Sequence, residues 1–439
     1  MAEISAFKGL RYNLEDVGDL SEVFAPPYDV IDPAMRDELI ARNEFCIARI
    51  TRSPEAADEP EDKRYSTAAR LLARWRSEGA LQEDERPALY IYEQEFRVGG
   101  QVLKRRGLVC GLKLVDFGQG VHPHEETLSG AKKDRRLLLE QTRTHLGQIF
   151  GLYADERGEV NEVLKRASGE EPPWEEAHDD DGVIHRFWVV SDEMDIARIE
   201  HLLADRDVLI ADGHHRYETA LSYSREHPEL PRAAWVMATL VALSDPGLVV
   251  LPTHRLVHSL PDFDPSALEE KLAEKFRIQK FVFKAGDREW RLKGLLERMA
   301  EHRTKGENAF GFYGGGNHFS LLVLKDDQAM AEAEPGHCEA WRKLDVAVLH
   351  TLILDGLLGI DREKLAAKAN LEYLKDTGEA VNQAIERVDA GEAQCVFIMN
   401  STAVSEVAAV AEAGEKMPQK STFFHPKVFT GGVLMPLED

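Results

Sequence analysis

The sequence predicts a mixed α/β (α+β) chain built as two domains, and three observations carry that prediction. Short β-rich runs alternate with helix-patterned runs through the first half, whereas the second half sets longer helical stretches around a few strands. The 439 residues, 43% of them apolar, are enough for two or three cores at roughly 150 residues each. No repeat of roughly 20 to 50 residues is visible, which removes solenoids and propellers. The second half opens around Pro261, so the domains are expected at 1–260 and 261–439.

Ala25-Pro-Pro-Tyr-Asp-Val is a rigid loop, because two prolines fix φ and remove two donors, and a helix should follow from Pro33 through Leu39. Residues 66–78 read as a second helix. Leu89-Tyr-Ile-Tyr-Glu-Gln-Glu-Phe and Leu108-Val-Cys-Gly-Leu-Lys-Leu-Val are β-rich and joined through Gly99-Gly100, which predicts a hairpin. From Ala131 to Leu146 the pattern turns helical. Residues 169–181 hold seven acidic side chains and two prolines, and read as a surface loop rather than an element. Strands are expected at His185–Val190 and Val208–Ala211, a helix at Tyr217–Glu226 and a short strand at Leu248–Leu251. In the second domain, helices at 266–276, 288–302, 344–357 and 376–389 surround strands at Phe310–Tyr313, His318–Leu324 and Gln394–Met399. Gly314-Gly-Gly-Asn317 between two of these strands lacks the Lys-Ser/Thr of a phosphate loop, so it reads as a hairpin turn.

A formal net charge of −24 disfavours nucleic acid and anionic membranes as partners and makes any basic site a local pocket in a repulsive field. The four cysteines are far apart with no CxxC pair, which suits a reducing compartment. The first 20 residues do not resemble a secretory leader, and the longest apolar run, Ala233 to Leu243, is about half a membrane span. A soluble, cytoplasmic protein acting on small molecules is expected; whether it is a monomer or a homodimer stays open.

The strongest local signal is Val208-Leu-Ile-Ala-Asp-Gly-His-His-Arg-Tyr. An apolar strand ends at Ala211, Gly213 permits a sharp turn, and a helix follows, so Asp212 to Arg216 sits where backbone N–H groups and the helix dipole favour an anion. Arg216 adds a forked donor. His214 and His215 are consecutive and cannot both point the same way, so at most one faces a ligand while the other braces it. The plain alternative is a capping turn in which Asp212 serves the helix N–H groups. A second signal is His122-Pro-His-Glu-Glu-Thr-Leu-Ser-Gly-Ala-Lys-Lys-Asp-Arg-Arg, where Lys132 and Arg135 share one helical face near its start. Cations there oppose the dipole, a cost that a bound polyanion offsets; the plain alternative is a solvated charged helix with Asp134 and Glu140 as partners. His124-Glu125 can supply a base for a hydroxyl or help hold magnesium. Thr253-His254-Arg255 either joins the site or is a structural polar turn. Lys416-Met-Pro-Gln-Lys-Ser-Thr-Phe-Phe-His-Pro-Lys427 concentrates three lysines in an acidic chain and reads as an extended loop, either a basic rim over a phosphate site or plain surface.

Taken in order, Ala25-Pro-Pro-Tyr-Asp-Val, Pro123-His-Glu-x-Thr with Lys132-x-Asp-Arg135, Ala211-Asp-Gly-His-His-Arg-Tyr and Lys416-Met-Pro-Gln-Lys-Ser-Thr resemble the successive signatures of the bacterial and archaeal family called domain of unknown function 1015. The resemblance covers almost the whole chain. Gly130-Ala-Lys stands where Gly-Pro-Lys is usual, and Phe424-His425 where aromatic pairs are common; neither departure touches a candidate catalytic group. Asp-Gly-His-His-Arg is also similar to the nucleotide-site motif of free-serine kinases built on the ParB/sulfiredoxin-like fold. What these resemblances imply is an N-terminal ParB/sulfiredoxin-like nucleotide-binding catalytic domain and a helical-plus-strand C-terminal domain that completes or covers its site.

The expected function is a nucleotide-dependent small-molecule kinase, with the hydroxyl of free L-serine as acceptor and ATP or ADP as donor. Lys132, Arg135, Gly213, His215 and Arg216 are assigned to the phosphates, and Asp212, Glu125 and His214 to catalysis. Asp212 or Glu125 would hold Mg2+, and Glu125 or His214 would take the hydroxyl proton. His124, Thr127, Tyr28 and Asp29 support substrate. The rivals are a nucleotide-binding regulatory module of ParB-like type and a metal-dependent hydrolase using the histidine clusters.

Overall fold

The computed structural model describes residues 1–54, 63–125, 129–170, 172–284, 286–367 and 369–438. Its structure is mixed α and β in separate sheets. Contacts divide the chain into two compact units: Met1–Pro123, Thr127–Val249 and Pro426–Asp439 form one, and His124–Glu126 with Val250–His425 form the other. The division falls at Val249 and again at His425, where sequence placed one break near 260.

Among the described residues, the first unit is organised by a nine-stranded sheet. Its strands are β1 (Ile4–Ser5), β2 (Leu89–Val98), β3 (Gln101–Lys113), β4 (Val121–His122), β5 (Ile149–Tyr153), β6 (Glu175–His178), β7 (Ile184–Val190), β8 (Val208–Asp212) and β9 (Trp235–Ala242). They lie in the order β4-β8-β5-β9-β3-β2-β7-β6, with β1 also pairing β3. The hairpin of β2 and β3 turns on Gly99 and Gly100 at φ 57° and 81°, the left-handed pair that matches the twist of the flanking strands. Leu108, Cys110 and Leu112 point to one face of β3, and they join Leu89, Ile91, Ile149, Ile210 and Leu240 in a single buried core.

Among the described residues, the longer helices of this unit are α1 (Pro33–Arg42), α2 (Lys63–Ser77), α3 (Ser129–Thr142), α4 (Glu159–Glu170), α5 (Glu193–Leu203) and α6 (His214–Glu226). Asp32 starts α1 by accepting the Met35 N–H at 2.9 Å, with Pro33 in the first turn where its missing N–H costs nothing. Three expectations need correction. The helix drawn from Ala131 to Leu146 stops at Thr142, because Arg143 turns left-handed (φ 45°) and Thr144–His145 pairs with Met435–Pro436. The acidic stretch 169–181 is not all loop. Gly182 N–H bonds the Asp179 carbonyl and closes a turn, β6 pairs with β7, and Arg186 answers Glu176 and Glu95. The helix drawn from Tyr217 begins at His214, so both histidines lie in its first turn.

The last segment, Pro426–Asp439, is stitched into the first unit through its backbone. The Gln94 and Gln148 amides donate to the Lys427 and Phe429 carbonyls at 2.8 Å each, Ala25 and Thr430 exchange two backbone bonds, and Leu10 does the same with Leu434.

The second unit holds a six-stranded antiparallel sheet among the described residues: β10 (Thr253–Val257), β11 (Phe276–Val282), β12 (Ala309–Tyr313), β13 (His318–Leu324), β14 (Leu371–Lys375) and β15 (Cys395–Ile398), in the order β11-β13-β12-β15-β10-β14. Helix α7 (Pro265–Lys275) precedes β11. Helices α8 (Arg288–Thr304) and α9 (Ala380–Asp389) bury Leu295, Met299, Ala384 and Ile385 against Phe319, Leu321, Val396 and Ile398, a helix-on-sheet layer. Gly314–Asn317 joins β12 to β13 as a hairpin. The helix expected over 344–357 is a short α turn, Asp345–Val348, that widens into a π-helix over Leu349–Asp355. Among the described residues no helix is long and apolar enough to cross a membrane.

His145 gives the first unit a pH dependence. It is buried, its Nε2 donates to the Trp235 carbonyl at 3.0 Å, and burial pushes its pKa from 6.5 to about 4 although that bond opposes the shift. The unfolded chain therefore takes up the proton first, so stability is lost as pH falls from 6.5 to about 4. Urea unfolding across this window should show that loss in the wild type and a shallower slope in His145→Gln. Parallel slopes would assign the acid sensitivity to other groups.

Candidate functional site

In the first unit, β8 runs parallel to β4 and antiparallel to β5, with a register shift between Ile210 and Asp212. Such a bulge re-aims a side chain at a strand end, and here it precedes Asp212. Gly213 follows at φ 91°, ψ 24° as the N-cap of α6, with no side-chain oxygen to offer the first N–H groups. A Cβ on Gly213 would strain this left-handed backbone and stand 3.1 Å from the Arg216 guanidinium.

Asp212 does not act as the cap. Its Oδ2 lies 3.3 Å from Lys427 Nζ and 3.6 Å from Arg216 Nη2, while Arg216 Nη1 donates to the Gln148 carbonyl. Burial by itself would raise the Asp212 pKa; Lys427, Arg216 and His214 overcome this and hold it far below the usual carboxylate range. The group is an ionised acceptor with two cations on it. His214 is buried and His215 half-buried in the same turn.

Tyr28 extends this cluster. The Arg135 guanidinium stacks on its ring at 3.8 Å. Its hydroxyl pKa is raised, first by burial, with Arg135 and Arg216 opposing and Asp29 and Asp212 adding. Tyr28 thus lies within electrostatic reach of both arginines, while Asp29 beside it is exposed. Arg135 is itself fixed by Asp134, whose other oxygen accepts from Arg64 at 3.0 Å and from Tyr65 at 2.8 Å. Lys132, placed by sequence on one face with Arg135, forms an ion pair with Glu218 of α6.

His124 and Glu125 belong to the second unit. His124 is fully buried, shares a hydrogen bond with Thr422 at 2.9 Å, and its carbonyl accepts from Met417 N–H at 2.7 Å. Glu125 Oε1 accepts the Lys420 N–H at 3.0 Å. The buried Arg255 guanidinium donates to the Lys420 carbonyl at 3.0 Å and lies 4.9 Å from the Tyr373 ring centre. Burial lowers its pKa to about 10, and Tyr373 and Glu125 draw it back up. Thr127 lies outside the described residues.

The sequence offers the stretch ending at Lys427 as a basic rim or plain surface without singling out Lys427, which pairs with Asp212. Its signal was the run of lysines near the C-terminus, but nothing local tied it to an aspartate more than two hundred residues earlier. Thr253-His254-Arg255, expected either to join the site or to form a polar turn, lies on a strand, β10, and the partners of Arg255, Tyr373 and Lys420, come from β14 and the C-terminal loop. Among the described residues, no three His, Cys, Asp or Glu side chains gather as a metal set.

Comparison with known proteins adds the following. The family described as "Protein of unknown function (DUF1015)" matches residues 4–347. No curated protein matches. Among solved structures, the chain is similar to a free serine kinase in complex with AMP (15% identity, TM-score 0.32, covering 70% of this chain and 83% of that one). It is also similar to a conserved hypothetical protein from Pyrococcus furiosus (17%, 0.32, 72% and 94%). A third is SbnI with a C-terminal truncation from Staphylococcus aureus (10%, 0.34, 75% and 87%). The family match takes in both long motifs and most of the chain, and the protein belongs to this family of unknown function.

Proposed function

We propose that the protein is a nucleotide-dependent small-molecule kinase that takes ATP or ADP as donor and the hydroxyl of free L-serine as acceptor. The observation that carries this reading is the Asp212 carboxylate, held ionised by Lys427 and Arg216 where α6 begins. Phosphoryl transfer asks the protein mainly for positioning and charge compensation. Gly213 at the N-cap leaves the start of α6 without a side chain of its own over it, a helix N-terminus suits phosphate oxygens, and Arg216, Arg135 and Lys427 supply positive charge in a chain of net −24. The resemblance of Asp212-Gly-His-His-Arg216 to the serine-kinase motif supports the same assignment.

His214 is assigned to the hydroxyl proton, with Asp212 supporting the imidazolium that forms; Glu125 is the alternative base. Asp212 is also the one carboxylate of this cluster suited to a magnesium ion carried by the phosphates, since Mg2+ commonly rests on one or two protein carboxylates. The nucleotide-switch reading uses the same groups without turnover. The hydrolase reading needs a set of metal ligands, which is not found among the described residues. Incubation with ATP or ADP, magnesium and pooled amino acids, followed by mass spectrometry, separates kinase from switch: a phosphorylated amino acid supports the first, and its absence with retained nucleotide binding supports the second.

Arg216→Ala and Lys427→Met should each weaken nucleotide binding by about 10- to 100-fold, the worth of a charge-assisted hydrogen bond. Calorimetry at unchanged thermal stability checks this; normal affinity would make both residues structural.

The base is read from turnover. His214→Ala should lower it by roughly 10²- to 10⁴-fold while nucleotide still binds. If Glu125→Gln produces that loss and His214→Ala does not, the proton goes to Glu125. Asp212→Asn should impair both turnover and its magnesium dependence.

A further inference from the structure

Beside the Asp212 cluster, within the first unit, lies a cavity of about 190 Å³ lined by Arg36, Arg52, Arg64, Arg135 and Asp134 among its polar side chains. It is walled by the start of α1, the turn after Thr51, the start of α2 and the middle of α3. Among the described residues, four arginines and one aspartate line so small a space, and like charges at this range repel. Asp134 is committed to Arg64, Arg135 and Tyr65, and Arg36 is turned to the neighbouring Asp37. The Arg52 Nε is buried with no hydrogen-bond partner among the described residues. Among the described residues the lining is cationic, and a buried, unanswered guanidinium donor on a residue of that lining is a costly arrangement for a fold to keep without a ligand.

We propose that this cavity binds the carboxylate or phosphate group of a small substrate, with Arg52 as its central donor. Arginine forks match the planar or tetrahedral oxygens of these groups, which lysine does not do in two-pronged fashion. The size sets the class. A cavity of roughly 150 Å³ accommodates a ligand the size of benzene, so this one takes an anion of about six to ten heavy atoms and excludes a nucleotide. Its location gives the role: Arg135, which lines the cavity, stacks its guanidinium on Tyr28, next to the groups assigned to the nucleotide phosphates. The cavity anchors the anionic end of the acceptor while its hydroxyl reaches the donor. The acceptor role rests on the kinase reading; the anion site does not.

The test is calorimetry on the full chain without nucleotide, with inorganic phosphate, malonate and L-serine as probes. At least one probe should bind the wild type, and which of them binds distinguishes phosphate from carboxylate ligands. Arg52→Met should weaken that binding about tenfold or more, with Arg52→Lys recovering part of it, while ADP affinity and thermal unfolding stay at wild-type values. Arg36→Met should weaken it less, since Asp37 already shares that charge. If no probe binds at millimolar concentration, or if Arg52→Met and Arg36→Met bind as the wild type does, the anion site is refuted. It is equally refuted if Arg216→Ala abolishes anion binding and Arg52→Met leaves it intact, because the anion then sits at Asp212. Arg52-dependent anion binding in a protein that phosphorylates no acceptor would uphold the cavity and remove the kinase reading alone.

Discussion

A carboxylate at the end of an apolar strand is costly unless its charge is answered, and Asp212 is answered twice, by Lys427 at 3.3 Å and Arg216 at 3.6 Å. Much of the first unit serves that arrangement. The bulge in β8 presents the carboxylate, and the left-handed Gly213 lets the helix start close enough for Arg216 to reach back. Gln148 on the neighbouring chain segment holds the far side of the Arg216 guanidinium and also the backbone that delivers Lys427. One glutamine therefore aligns both cations on the same acid.

The charge balance explains how such a cluster persists in an acidic protein. The excess of Asp and Glu is spread over loops and helix faces, and it meets arginine in exposed pairs such as Arg42–Asp180 and Arg74–Glu44. Pairs of that kind contribute little to stability. Arg135 and Arg216, both partly buried, are instead fixed by stacking, by carbonyls and by Asp134, so their positions depend little on ionic strength.

Much of this was legible in the sequence wherever the determinant was local. Gly99-Gly100 between β-rich runs announced the hairpin, Asp32-Pro33 announced α1, and the strand-to-helix turn at Asp212–Arg216 was placed within three residues of its true helix start. What was not legible depended on distant partners. Glu175–His178 looked like an acidic loop because its strand character comes from pairing with β7. Helices α4 and α5 carry no motif that marks them in the sequence. The short strand Thr144–His145 exists only because Met435–Pro436 lies beside it, and Lys427 has meaning only beside Asp212.

That dependence on the last residues has a consequence for how the chain matures. Residues 426–439 complete the first unit by bonding to Leu10, Ala25, Gln94 and Gln148, all of which leave the ribosome long before them. The intervening second unit is synthesised, and can collapse, in the interval. Throughout that time the early sheet lacks the segment that spans it, and Asp212 lacks Lys427. Closure of so long a loop comes late in folding because its entropy is offset only once the returning segment has docked. The two cations on Asp212 therefore arrive in order, Arg216 with its own helix and Lys427 only after the residues of the second unit have been made.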